Sequence, residues 1–121
     1  MKWLRPLYVG KHVEGCCRRV MAVIEKGEKG AFGFCQCLML STHTEDYVDI
    51  TPAGRLRNRF YADKDVVILG LAVNRREARL LVLQMAEDAV AAIGKPDIRA
   101  YVESLPETAF TDRGEVSLSL P

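Results

Sequence analysis

The chain has 121 residues, 49% hydrophobic and 27% charged, enough for one domain with its own core and too apolar for a disordered majority. Its 17 Lys and Arg against 16 Asp and Glu leave a formal charge of +1, which excludes an overall field that gathers nucleic acid or an anionic membrane. No segment approaches the roughly 20 apolar residues of a membrane span, and Met1-Lys2-Trp3-Leu4-Arg5-Pro6 leads into no signal-like apolar stretch, so a cytoplasmic protein is expected.

Leu7-Tyr8-Val9, bounded by Pro6 and Gly10, reads as the first strand, because proline starts a strand or sits on an edge. Val13, Cys16, Cys17, Val20, Met21 and Ile24 then follow the recurrence of a helix with one buried stripe, which ends near Gly27 to Gly30. Phe32 to Leu40 reads as a second strand buried on both faces, with Gln36 its one polar interruption and Ser41-Thr42-His43-Thr44 after it. Tyr47 to Ile50 forms a brief strand. Thr51-Pro52 has the form of a helix cap followed by proline in the first turn, opening a short basic helix to about Ala62.

Val66 to Val73 is an unbroken apolar run, the mark of a central strand covered on both faces. Asn74 caps the next helix, with Glu77 at the capping-box position and a buried stripe of Ala78, Leu81, Val82, Met85, Ala86, Ala89, Val90 and Ile93. Gly94 stops that helix, and Pro96 opens a last one with Ile98, Tyr101, Val102 and Leu105 inward. From Pro106, the turn signal Asp112-Arg113-Gly114 precedes alternating Val116, Leu118 and Leu120, an edge strand or a segment ordered against a partner. The expectation is a single α/β domain over residues 1–105 with a tail over 106–121. Its small, largely parallel sheet has three or four strands with packed helices and room for an antiparallel C-terminal edge strand.

Four cysteines match the ligand count of a structural zinc site, but Cys16-Cys17 are adjacent on a helix and Cys35-Gln36-Cys37 alternate on a strand. Those spacings favour reduced, packed thiols acting as small hydrophobes, with no metal or cofactor expected. His12 and His43 stand in no recognisable hydrolase pattern, yet each follows a predicted strand. In a parallel sheet, Lys11 and His12, Thr42 and His43, and Asn74, Arg75 and Arg76 gather along the carboxyl edge, where α/β sheets bind ligands. That edge is the candidate site for an anionic small molecule. Arg55, Arg57 and Arg59 with Phe60 and Tyr61 have the composition of a nucleic-acid contact, but alternate helical positions form no stripe, and Asp63 and Asp65 oppose it.

Leu80 and Leu83 widen the third helix's apolar surface beyond one sheet face, so either the last helix covers them or a second subunit does, with a two-fold homodimer the default. Leu7-Tyr8-Val9, Asp49-Ile50-Thr51, and Val67 to Ala72 followed by Glu77-Ala78 resemble a set of small bacterial proteins with no assigned function. The resemblance spans most of residues 7–105 and carries over no catalytic residue. The leading expectation is a non-enzymatic small-ligand-binding or oligomeric interaction domain. The alternative is a small enzyme acting on a phosphorylated or carboxylated metabolite, with His43 or His12 as acid or base.

Overall fold

A computed structural model describes residues 2–26, 33–41, 48–57 and 66–111. Among them are five strands, β1 (Lys2–Val9), β2 (Gln36–Ser41), β3 (Asp49–Pro52), β4 (Val66–Ala72) and β5 (Phe110–Thr111), in one sheet of order β3-β2-β4-β1-β5. Three helices accompany them: α1 (Cys17–Lys26), α2 (Arg75–Ile93) and α3 (Ile98–Ser104).

The apolar run at 66–72 forms the middle strand. Ile68, Leu69, Leu71 and Ala72 are all fully buried, so both faces of β4 are covered. Cys37, Leu38, Met39 and Leu40 make β2 equally enclosed. The sheet is mixed rather than largely parallel. Only β1 and β4 run parallel; β2 is antiparallel to both β3 and β4, and β5 is antiparallel to β1. An apolar run reports burial on two faces, not direction, and here β2 and β3 are close enough in sequence to form an antiparallel pair.

β1 begins well before the expected Leu7, because Trp3 and Leu4 are buried anchors that pair with Ile68 and, across the other edge, with Thr111 and Phe110. Between Trp3 and Tyr8, five residues of chain advance against only two of β4, from Ile68 to Gly70, and Pro6, which has no N–H to give, sits in that irregular stretch. Gly70 permits the return to register: a Cβ there would stand 3.0 Å from Tyr8 Cβ and closer still to the Tyr8 carbonyl.

α1 follows a short 3-10 turn, Glu14–Cys16, and buries Cys17, Val20, Met21, Val23 and Ile24, while Cys16 stays half-buried. Phe34, expected within the second strand, lies in the turn before β2 and is exposed. Thr51-Pro52 does not open a helix. Both residues end β3, opposite Cys37 and Gln36, and a proline is tolerated there because β3 is an edge strand. Ala53–Arg57 follows as a 3-10 turn, and the remainder of the expected basic helix lies outside the described residues.

α2 starts where Asn74 predicts, its side-chain oxygen accepting from the Glu77 N–H at 2.8 Å, and stops at Gly94, whose φ of 77° is left-handed. Ala78, Met85 and Ala89 are buried, Leu81, Val82 and Ala86 are half-buried, and Val90 is exposed despite its stripe position. α2 lies on β4 and β2 and packs against α3. The Tyr8 hydroxyl donates to Asp88 and so ties α2 to β1. Asp97 caps α3 by accepting from the Ala100 N–H, one residue after the proline expected to open that helix. β5 comes from the tail and extends the β1 edge; Val116, Leu118 and Leu120 lie outside the described residues.

Candidate functional site

The parallel pair β1–β4 sets the site. From β1 the chain passes through α1 to β2, beyond β4; from β4 it passes through α2 and α3 to β5, beyond β1. The carboxyl ends of β1 and β4 therefore stand side by side, each followed by a loop leading towards a helix, at the edge where open α/β sheets bind ligands. The Gly10 N–H donates to the Leu71 carbonyl at 2.9 Å, carrying the pairing past the end of β1 and holding Lys11 and His12 beside Val73 and Asn74.

Glu77 closes this corner. One carboxylate oxygen accepts from the Val73 N–H at 2.9 Å, and the other accepts from the His12 N–H at 3.0 Å and meets His12 Nδ1 at 2.7 Å. Burial alone would raise the Glu77 pKa, but the Val73 N–H and then the His12 contacts outweigh it and hold the carboxyl below its ordinary value. The first turn of α2 adds a favourable dipole. An ionised carboxylate only accepts, so the shared proton sits on His12 Nδ1 and Nε2 faces outward. The His12 side chain is 74% exposed and that of Glu77 only 10%. A buried carboxylate thus fixes the ring of a solvent-facing histidine.

Of the residues expected at this edge, the structure joins Lys11, His12 and Asn74, with Arg75 and Arg76 exposed on the first turn of α2. Asn74 spends its side-chain oxygen on the helix cap. Arg75 and Glu77 are two positions apart, about 200° around the helix axis, so Arg75 borders the corner instead of facing His12. Thr42 and His43 lie outside the described residues. Ser41, the last described residue of β2, pairs with Val66 at the start of β4, at the edge away from Gly10 and Asn74. The expected meeting of three strand ends therefore reduces to two, because β2 runs the other way.

Sequence reasoning assigned Glu77 to helix capping and missed its contact with His12; the available signal was Gly10, the one small residue next to the expected binding loop. It also missed Cys35 and Gln36, which the antiparallel β2 delivers to this same edge, Gln36 opposite Ala72. Burial pushes the Cys35 thiol pKa up, and nearby Cys16 and Glu77 push it further. Gln36 donates to the Phe34 carbonyl through Nε2, while its buried Oε1 has no partner among the described residues. All four cysteines are free thiols, and no group of three or more metal-ligating side chains occurs among the described residues.

Two concave regions lie apart from this corner. A groove of about 650 Å³ between β3, α2 and the start of α3 is lined mainly by Val48, Ile50, Val82, Leu83 and Ala86, with Arg79 on its wall. A smaller one of about 380 Å³ contains Tyr8, Asp88 and Tyr101. Burial and then the Asp88 carboxylate hold the Tyr8 hydroxyl well above the ordinary phenol range, so it acts there as a donor. Arg55 is exposed, but Arg59, Phe60 and Tyr61 lie outside the described residues. No described helix is long and apolar enough to cross a membrane. No family model, curated protein or solved structure matches the chain.

Proposed function

We propose that the chain is a non-enzymatic binding domain for a small anionic molecule, held at the carboxyl edge of the β1–β4 pair. The observation that carries this reading is the His12–Glu77 pair: Nδ1 is anchored at 2.7 Å on a buried carboxylate while the rest of the ring stands in solvent. Such a ring pays little ordering entropy when it meets a ligand, since its orientation is already set. Lys11 beside it is exposed and supplies positive charge. With free thiols throughout, a reducing compartment such as the cytoplasm fits the composition.

Calorimetric titration with inorganic phosphate and with malate, one a phosphate and the other a dicarboxylate, tests the proposal. Saturable binding of either, accompanied by a shift of the His12 ring proton in NMR and lost in His12→Ala, is the expected result. No saturable heat from either anion, or binding unchanged in His12→Ala, refutes it.

The same pair favours one alternative, a small enzyme in which His12 Nε2 moves a proton and Glu77 orients the ring. This reading requires turnover of an anionic ester or acid that disappears in His12→Ala.

A further inference from the structure

The outward face of α2 carries apolar residues that nothing within the described chain covers. Leu80 and Leu83 are each 61% exposed, and Leu83 also lines the groove shared with β3 and the start of α3. They do not stand alone. Arg76, Leu80, Leu83, Glu87 and Val90 follow one another at spacings of four, three, four and three residues, the seam by which one helix packs along another. At 3.6 residues per turn these positions cluster on the side of α2 opposite buried Ala78, Met85 and Ala89.

The charges on this seam select its partner. Arg76 and Glu87 are both exposed, form no ion pair among the described residues, and stand about 16 Å apart along the axis, too far to pair within one helix. A second copy of α2 laid antiparallel, with the two-fold axis between Leu80 and Leu83, places Leu80 on the partner helix's Leu83 position and Arg76 on its Glu87 position. Each contact is then repeated by symmetry. A parallel arrangement would set arginine against arginine and glutamate against glutamate, which repel.

We infer that the protein forms a two-fold homodimer through antiparallel packing of the exposed α2 faces, with Leu80 and Leu83 at its centre and Arg76–Glu87 ion pairs at both ends. The seam does not include His12 or Glu77, so the dimer does not depend on the ligand reading and is measured without ligand. Because Arg76 serves the seam here, the anion site rests on His12 and Lys11.

Sedimentation equilibrium across a concentration series, with circular dichroism to show that each variant is folded, tests the inference. The native chain is expected to dimerise, Leu80→Ser with Leu83→Ser to sediment as a monomer, and Arg76→Glu or Glu87→Arg alone to weaken the dimer at least tenfold. The double variant Arg76→Glu with Glu87→Arg swaps the charges within the same register and is expected to restore most of the native affinity. A native chain that stays monomeric to millimolar concentration overturns the inference. So does a dimer indifferent to the leucine changes, or a double variant no tighter than its single parents.

Discussion

Gly10→Ala puts a methyl group where the Glu77 side chain now lies: its Cβ would come within 2.7 Å of Glu77 Cγ and closer still to the carboxylate. Gly10 does not occupy the left-handed region, so the backbone accepts alanine, and the three nearest atoms the new methyl group meets all belong to Glu77. Moving Glu77 aside forfeits the acceptor for the Val73 N–H and for the His12 N–H and ring. The exposed ring can turn to water; the two backbone bonds to a charged acceptor dominate, and together they place the loss at about 3 kcal/mol. For a chain of this size that corresponds to a fall of about 10 °C in Tm. Urea unfolding of the native chain, Gly10→Ala, Glu77→Ala and the double variant closes a cycle. Once Glu77 is alanine there is no side chain to collide with, so Gly10→Ala should then cost less than about 0.5 kcal/mol. If the two single losses simply add in the double variant, the corner is not held by Glu77 against Gly10 and the reasoning fails.

Two further expectations follow from the same contacts and from the thiols. Since Glu77 is held below its ordinary pKa in the folded chain, its stabilisation is complete above the ordinary carboxylate range and is lost as pH falls through the lowered folded-state value. The urea midpoint should therefore decline on acidification less steeply in Glu77→Gln than in the native chain, and equal slopes would contradict the assignment. Burial raises the pKa of Cys37, which is fully enclosed, whereas Cys16 is only half-buried. Iodoacetamide followed by peptide mass mapping should find Cys16 modified well before Cys37 in the folded protein; early modification of Cys37 would show that β2 is not enclosed.

What the sequence determined by itself was local. The run at 66–72, the Asn74 cap, the Gly94 stop and the periodicity of α1 were legible because burial on both faces, capping and helical spacing are written in neighbouring residues. That Leu80 and Leu83 lie outside the buried stripe of α2 was legible for the same reason, but that they stay exposed within the described chain was not. Strand direction was not: β2 reads as equally apolar whether it runs with β4 or against it, and its reversal removed Ser41 from the expected edge while bringing Cys35 and Gln36 to it. Thr51-Pro52 was misread because a proline at a helix start and one at the end of an edge strand share the same local chemistry. Only tertiary structure could join His12 to Glu77, since they are 65 positions apart and meet because β1 and β4 pair in parallel with Gly10 between them. A capping residue becomes the support of a binding histidine only when the fold brings a second loop within reach of its carboxylate.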